Sequence, residues 1–332
     1  SYSFVKGRYH WAGGNSYETV RLRSLAESII KTGDIGIVVE SISKTGGDRV
    51  EGAFSFKTST FGQINFDGCV SGPIRKGWYY AVGAYLNLDP TSVNAPGKVF
   101  VDNKQIFKLS LTRRWSAAEL SVFYKFCLNK DSLGGYGEAP FIYNGDGSVS
   151  ALDGYKIGRS CYFPADDHIT YMDLMTGQMK TGHMGKMDDR RVHDIIVKGK
   201  YAHDSGWLFK GTLHGCISPR DNWAKSVLSG IDIAEGGLLK NGKEVTLADG
   251  TPYSGSIQNR VVSIVDAKSL DFTALFEAGK KWRKHEVDLG LELVTVHQYE
   301  RTSATKMAHT VSADPVRLYL DDQETWGHNM NA

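Results

Sequence analysis

The sequence lacks long hydrophobic runs and a strong net charge. No segment has 18 or more consecutive apolar residues, which excludes transmembrane helices. The net charge is +2, from 39 basic and 37 acidic residues among 332, so the chain has no electrostatic basis for binding nucleic acid and we expect no such partner. A hydrophobic content of 41% excludes a chain that is disordered throughout.

Cysteines and catalytic motifs are also scarce. The four cysteines form no CxxC pair and no His/Cys cluster, which argues against a structural zinc site. They are Cys69, Cys127, Cys161 and Cys216. No GxSxG, HExxH, P-loop or dinucleotide-binding motif occurs. We therefore predict a protein that is not an enzyme, with no catalytic residues, no cofactor and no metal. There is also no initiator methionine and no signal-peptide pattern at Ser1, which favours either a removed leader or an excerpt of a longer protein.

What the sequence does contain is a sustained alternation of apolar and polar residues. Only 8 prolines stand against 37 glycines, and 11% of the residues are aromatic, a composition typical of strand-rich proteins. In 118–128 the even positions are apolar, and in 287–299 the odd positions are mostly so. The alternation predicts nine strands. They span 50–58, 63–71, 78–88, 105–113, 118–128, 193–201, 207–217, 270–278 and 287–299. Helical spacing from Val20 to Ile29 predicts one short helix near 19–31.

The connections between these strands alternate between short and long. Short turns are predicted near 72–77, 114–117, 203–206 and 279–284, whereas the connections 89–102, 129–190 and 218–256 are long and polar. A soluble antiparallel sandwich has no reason to sort its loops by length. Outer-membrane barrels do sort them, with short turns at one rim and long loops at the other. The pattern favours a transmembrane barrel.

Tryptophan is concentrated beside the short turns. Four of the seven tryptophans lie in or next to them. They are Trp78, Trp115, Trp207 and Trp282. Tryptophan and tyrosine gather at the membrane–water boundary, because the ring is amphipathic. We interpret the four as an interfacial girdle; the alternative is that they close the open end of a soluble sandwich.

Several local patterns, in this order along the chain, are similar to those of the TonB-dependent outer-membrane receptors. The run 70–74 (VSGPI) followed by 78–82 (WYYAV) resembles a turn that joins early barrel strands of that family. The run 276–279 followed by 285–292 (HEVDLGLE) resembles a later turn and its outgoing strand. The run 33–40 (GDIGIVVE) resembles the last strand of the plug domain, with 46–48 as the passage into the barrel.

This resemblance implies an all-β fold, an antiparallel transmembrane β-barrel of which about nine or ten strands are visible, with the tail of an N-terminal plug domain. Residues 1–47 would be the C-terminal part of the plug, and residues 48–332 the N-terminal portion of the barrel. The implied function is import of a nutrient ligand, such as a glycan, a siderophore or a peptide, across the outer membrane. The implied partners are that ligand, the TonB energy-coupling complex and outer-membrane lipid, and the implied location is the outer membrane.

The long loop 129–190 contains several patterns that imitate binding sites. Oxygen-bearing residues recur at every second position from Asn144 to Ser150, but neither the glycine nor the glutamate of a calcium loop is in place, so a glycine-rich turn is predicted. The run 166–168 (DDH), together with His183 and His193, imitates a metal site with spacing that fits no helix face. The methionines are predicted to form a small loop core. They are Met172, Met175, Met179, Met184 and Met187.

Ligand recognition is assigned to the loops 129–190 and 218–256. Five aromatic residues are weak candidates for stacking on a sugar or another ring, with packing inside the loops as the alternative. They are Tyr136, Tyr143, Tyr155, Tyr171 and Trp223. The runner-up function is a soluble all-β carbohydrate- or ligand-binding sandwich module.

The alternation also assigns faces and edges. We predict that Leu120, Val122, Tyr124, Leu289, Leu291 and Leu293 face lipid, whereas Glu119, Lys125, Asp288 and Glu292 face the lumen or the plug. Unpaired strand edges are prohibitively costly in hydrocarbon. The strand at 50–58 is therefore expected to need the closing strand of a full barrel, and the strand at 287–299 to pair with one near 316–320. Expressed alone, the chain is expected to aggregate through these edges.

Overall fold

The computed structural model describes residues 11–22, 39–96, 99–131, 138–174, 176–320 and 325–331. Strands dominate this part of the chain, with single turns of 3₁₀-helix at Gly14–Ser16 and Met184–Lys186. Among the described residues, no helix has the length and apolarity that crossing a bilayer requires. The predicted all-β class is confirmed.

The described residues form nineteen strands. In chain order they are β1 (Tyr17–Leu22), β2 (Val39–Ser43), β3 (Glu51–Thr58), β4 (Ile64–Arg75), β5 (Trp78–Asp89), β6 (Asp102–Arg114), β7 (Ala118–Asp131), β8 (Phe141–Tyr143), β9 (Val149–Ala151), β10 (His168–Asp173), β11 (Gln178–His183), β12 (Asp188–Ala202), β13 (Trp207–Glu235), β14 (Leu238–Leu239), β15 (Val245–Thr246), β16 (Gly255–Trp282), β17 (His285–Thr310), β18 (Arg317–Leu320) and β19 (Thr325–Asn331).

One large antiparallel sheet contains thirteen of these strands. Its order is β15-β18-β17-β16-β13-β12-β7-β6-β5-β4-β3, with β14 paired to β13 and β19 to β17. The nine predicted strands correspond to β3–β7, β12, β13, β16 and β17; five of their starts agree to within one residue, whereas β6, β12, β16 and β17 begin 2 to 15 residues earlier than predicted. The sheet is open, since β3 and β15 are its two ends, as predicted for part of a barrel. The predicted pairing of the strand at 287–299 with one near 316–320 is confirmed in part. β18 does pair with β17, but at Ala308 and His309, beyond the predicted end of that strand.

β13 and β17 extend well beyond their predicted ends, and β16 begins well before its predicted start. The expected loop 218–256 is wrong: β13 continues to Glu235, and only 236–254 connect it to β16. The pairing passes through an irregularity between Ser218 and Asp221 and then continues. The alternation of apolar and polar residues is lost around Ile264 and Val265 because both faces of β16 are buried at that point. Ile264 lies in one apolar cluster and Val265 in another.

The short helix predicted near 19–31 is wrong for its described part. Tyr17–Leu22 is a strand, and Val20 pairs with Ser41 of β2. Arg21 and Glu40, which are also partners in this register, form an ion pair of 3.0 Å. Val20 and Leu22 satisfy a period of two as well as a helical period, so spacing alone did not separate the two structures. Residues 23–38, which include most of the predicted plug strand, lie outside the described residues.

The N-terminal segment lies on one face of the strands β4–β7. Lys108 Nζ donates to the Ala12 carbonyl at 2.7 Å and to Ser16 Oγ at 2.8 Å. The Asn15 backbone N–H donates to Asp67 at 3.0 Å. Lys108 and Asp67 both belong to the polar face of the sheet. The described part of the segment therefore covers that face, while a domain boundary at residue 47 stays a prediction.

A second group of contacts fixes the passage from this segment into β3. Ser110 Oγ donates to the Lys44 carbonyl at 2.8 Å, and Arg114 Nη2 donates to the Gly46 carbonyl at 3.0 Å. Tyr79 OH donates to Asp48 Oδ1 at 2.7 Å. The chain is thus held against the sheet up to the residues where the first long strand begins.

Candidate functional site

The opposite face of the sheet carries a continuous exposed apolar band. Side chains alternate between the faces of a strand, so the register determines which residues share a face. Val122 of β7 is the partner of Leu111 on one side and of Val197 on the other. Across the sheet, the large apolar residues of this face are exposed. They include Leu109, Leu111, Leu120, Val122, Ile195, Leu213, Ile217, Leu270, Phe272, Phe276, Leu289, Leu291 and Leu293.

The predicted assignment of faces agrees with this exposure. Five of the six residues predicted to face lipid are exposed, and Tyr124 is partly buried on the same face, as the partner of Leu109. Cys127, on the polar face, is fully buried, and Cys69 and Cys216 are buried too.

The band has a defined height. On β16 it runs from Trp282 at the turn to Leu270, whereas Ile264 and Val262, farther along the same face, are buried. On β17 it covers about 13 residues from His285. At about 3.4 Å per residue and a strand tilt of about 40°, that length spans roughly 30 Å, the thickness of the hydrocarbon core. The band therefore has the height of one bilayer.

Tryptophan and basic side chains border the band at the short turns. The turns are confirmed at 76–77, 115–117, 203–206 and 283–284, next to the four predicted tryptophans. The Arg113 guanidinium lies 5.5 Å from the ring centre of Trp78 and 5.3 Å from that of Trp115. Lys280 Nζ lies 5.7 Å from the ring of Trp207. A belt of indoles beside cations suits a headgroup layer, where the ring is half in hydrocarbon and the charge meets phosphate.

At the other end of the strands, residues 138–174 and 176–187 fold over the sheet; we call them the loop cap. Phe163, Ile169 and Met184 of the cap form an apolar cluster with Val262 and Met307 of the long strands. Met187 packs against this cluster, whereas Met172 and Met179 are exposed. The predicted small loop core is confirmed for two methionines; Met175 lies outside the described residues.

A buried polar cluster joins the loop cap to β16 and β17. The fully buried Arg260 donates from Nη2 to the Tyr162 carbonyl and from Nε to His309 Nε2 at 2.8 Å. His309 is therefore neutral, with Nδ1–H donating to the Thr310 carbonyl at 2.9 Å. This cluster lies beyond the apolar band. Burial lowers the pKa of His309 to about 4, and the charges of Arg260 and Arg317 act in the same direction.

The four aromatic candidates for ligand binding that the structure describes have different surroundings. Tyr136 lies outside the described residues. Tyr143 is 67% exposed on the short β8–β9 hairpin. Tyr155 donates to the Ser160 carbonyl, and Tyr171 packs against the apolar cluster of the cap. Trp223 is only 7% exposed and lies in β13, beneath the Arg190 guanidinium. The rings of Tyr155, Tyr171 and Trp223 are therefore packed against other parts of the chain, which was the alternative to ligand stacking.

The calcium-like pattern is a hairpin turn, as predicted. Ser148 donates through its backbone N–H to Asp146 Oδ1 at 2.8 Å, and Asn144 Nδ2 donates to Ser148 Oγ at 2.9 Å. Ser150 Oγ donates to Asn144 Oδ1 at 3.1 Å. The oxygens are engaged with one another at an exposed turn, and the hydrogen bonds that Asp146 accepts from the hydroxyl and the backbone N–H of Ser148 lower its pKa.

Sequence reasoning missed a polar cavity beside the loop cap. Its volume is about 290 Å³, and Asp232, Asn259, Arg317 and Tyr319 are among the residues that line it. The residues come from the far ends of β13 and β16 and from β18; Asp232 was predicted to lie in a loop, and the strand that contains Asn259 was predicted to begin only at residue 270. Because no local motif connects them, only the register of the extended strands could have revealed the cavity.

Sequence reasoning also missed a histidine pair. His168 and His183 were compared only with helical spacing, but β10 and β11 pair them directly, with ring centres 3.9 Å apart. Asp166 accepts from His168 and from Tyr319 OH. Partial burial would raise the pKa of Asp166, but these hydrogen bonds outweigh it and lower the pKa.

No protein-family model and no curated protein matches this chain. Among solved structures, the chain is similar to the ferripyoverdine receptor of the outer membrane of Pseudomonas aeruginosa bound to ferripyoverdine, with 11% identity and a TM-score of 0.45 over 95% of this chain and 43% of that one. It is also similar to the FpvAI–pyocin S2 complex, with 10% identity and a TM-score of 0.44 over 96% of this chain and 42% of that one.

A third similar structure is the siderophore receptor PiuA from Acinetobacter baumannii, with 10% identity and a TM-score of 0.39 over 89% of this chain and 54% of that one. The chain spans 42% to 54% of the length of these three structures. Two of the three structures are described as receptors, one for ferripyoverdine in the outer membrane and one for siderophores.

Proposed function

We propose that this chain is part of a TonB-dependent outer-membrane receptor that imports a nutrient ligand. The observation that carries the proposal is the exposed apolar band, which is one bilayer high and is bounded by a tryptophan and cation belt at one rim. At the other rim, the same face of the long strands is buried beneath the loop cap. In this proposal the band contacts outer-membrane lipid.

The distribution of polar groups supports the same function. The face opposite the band is polar, and the N-terminal segment lies on it, held by Lys108, Ser110 and Arg114. The family resemblance implies that such a segment is the tail of a plug, which the TonB complex pulls to open a path for the ligand. Recognition of the ligand would then fall to the long connections 132–187 and 236–254.

The soluble sandwich is not favoured. A sandwich buries the apolar faces of its two sheets against each other and leaves polar faces in water. Here the arrangement is reversed: the apolar face is exposed, and the polar face is covered by the N-terminal segment at β4–β7. An exposed apolar surface of this extent marks a site for lipid or for another protein.

The proposal predicts that the two ends of the strands lie on opposite sides of the outer membrane. We would place single cysteines by Ser148→Cys in the cap and Lys284→Cys in a short turn, and treat cells with a membrane-impermeant maleimide. Ser148→Cys should be labelled in intact cells, and Lys284→Cys only after the outer membrane is permeabilised.

The unsubstituted protein is the control for background labelling, because Cys69, Cys127 and Cys216 are buried and Cys161 is partly buried. Equal labelling of both positions in intact cells, or recovery of the protein in the soluble fraction, would contradict the proposal.

A further inference from the structure

Two histidines and two aspartates meet at the base of the β10–β11 hairpin in the loop cap. His168 and His183 are cross-strand partners. Asp167 precedes His168 directly, and its backbone carbonyl accepts from the Met184 N–H at 3.1 Å. Its Oδ2 accepts from the Gly185 N–H at 2.7 Å. The carboxylate is thereby fixed beside both rings.

Each imidazole is oriented by a carboxylate. His168 Nδ1 lies 2.7 Å from Asp166 Oδ1, and His183 Nδ1 lies 2.9 Å from Asp167 Oδ1. In His168, an Nδ1–H that donates to Asp166 leaves Nε2 with its lone pair, which is the form that ligates a metal. Metal-binding histidines almost always have such a carboxylate or carbonyl partner on the second nitrogen. In His183, a bound ion would replace the proton between Nδ1 and Asp167 Oδ1, so that both of these atoms become ligands.

We propose that Asp167, His168 and His183 bind a divalent transition-metal ion, with Zn²⁺ as the best-fitting one. Each residue offers one ligand atom, and the three atoms lie within 4.8 Å of one another. Ligand atoms around tetrahedral zinc lie about 3.3 Å apart, because each bond is about 2.0–2.1 Å long. Small side-chain rotations would bring the atoms to that spacing, and the side chain of His168, which is 55% exposed, has room for them on its solvent side.

The surroundings fit this ion class. Two imidazole nitrogens and one carboxylate are ligands that suit zinc and its neighbours better than calcium or magnesium, which prefer all-oxygen sites. Asp166 and Asp167 supply two negative charges. The guanidinium of Arg317, whose pKa burial lowers against the opposing effect of these two carboxylates, is a facing positive charge. Three protein ligands leave a fourth position for water.

This inference does not rest on the proposed function, because the hairpin lies in the loop cap and its chemistry is independent of what the apolar band contacts. The test is a titration of the purified full chain in detergent with ZnCl₂ alone, followed by calorimetry, and with CoCl₂, followed by visible absorption. We expect one Zn²⁺ per chain and the intense visible bands of tetrahedral Co²⁺.

Substitutions distinguish a site with oriented ligands from incidental binding of the metal ion to surface histidines. His183→Gln and Asp167→Asn each remove a ligand and should abolish the cobalt bands. Asp166→Asn removes no ligand but loosens the orientation of His168, so it should weaken binding roughly 10- to 100-fold. His203→Gln, in an exposed turn, is the matched control and should bind as the parent does.

The proposal would be overturned by a parent chain that binds no Zn²⁺, or by a stoichiometry and affinity that His183→Gln leaves unchanged. Equal weakening by His203→Gln would also overturn it. Should His183→Gln fail to fold, Asp166→Asn decides the matter, since it retains both imidazoles: unchanged affinity in that variant counts against a site with oriented ligands.

Discussion

Placing a charge at Leu291 tests where the apolar band lies. Leu291 is 73% exposed and is the sixth residue after His285, the first residue of β17. Six residues at about 3.4 Å each, tilted by about 40°, put it roughly 15 Å above the turn, near the middle of a bilayer. Leu291→Arg should therefore cost about 2–4 kcal/mol in the free energy of unfolding. In a soluble sheet the same exposed position should tolerate arginine within about 0.5 kcal/mol.

Ile157→Arg is the matched control. Ile157 is 69% exposed, also aliphatic, and lies in the loop cap. We would purify both variants from membranes and follow unfolding in guanidinium by tryptophan fluorescence. About 2–4 kcal/mol corresponds to a roughly 30- to 700-fold shift in the unfolding equilibrium constant for Leu291→Arg alone. Equal stabilities for the two variants, within about 0.5 kcal/mol, would refute the placement of the band in lipid.

Two further predictions concern the N-terminal segment and the loop cap. Gly46 has φ +78°, and a Cβ there would lie 2.4 Å from the Tyr80 carbonyl oxygen, so Gly46→Ala should release the segment, seen as faster proteolysis before residue 48. Gly47→Ala, where a Cβ meets nothing within 4 Å, should cleave as the parent does, and equal rates for both would contradict the docking. The lowered pKa of His309, about 4 against an ordinary 6.5, means that the neutral form stabilises the cap fully above pH 6.5 and that this contribution is lost as the pH falls toward 4. The protection of the amides in 138–187 against hydrogen exchange, taken relative to the intrinsic exchange rate at each pH, should therefore fall between pH 6.5 and 4, and much less so in His309→Gln; an identical pH profile of protection in the two would contradict the role of His309.

The strands that cross the band were predictable because their environment differs on the two faces. Leu289, Leu291 and Leu293 alternate with residues of the polar face. This contrast identifies the strand and shows which of its side chains share a face. The contrast ends where the strands enter the loop cap. Around Ile264 and Val265 both faces are buried, so the sequence loses its period of two although the strand continues.

The candidate metal site shows a different limit. The histidines and aspartates were visible in the sequence, but His168 and His183 are brought together by the register of a hairpin whose strands have little apolar alternation. A search based on helical spacing could not find a cross-strand pair. The polar cavity lined by Asp232, Asn259 and Arg317 is harder still, because its residues come from three separate strands.

The most direct test of the central claim is the environment of the two faces of β17. Nitroxide labels would be placed singly at Leu289, Leu291, Leu293 and Glu292 in a Cys161→Ser background, and the protein would be reconstituted in liposomes. Collision rates with oxygen and with a water-soluble nickel chelate would then be measured by electron paramagnetic resonance. The account predicts high oxygen and low nickel accessibility at the three leucine positions, greatest in contrast at Leu291, with the alternation broken at Glu292. Nickel accessibility at Leu291 equal to that of a label at Ile157 would place the band in water and contradict the account.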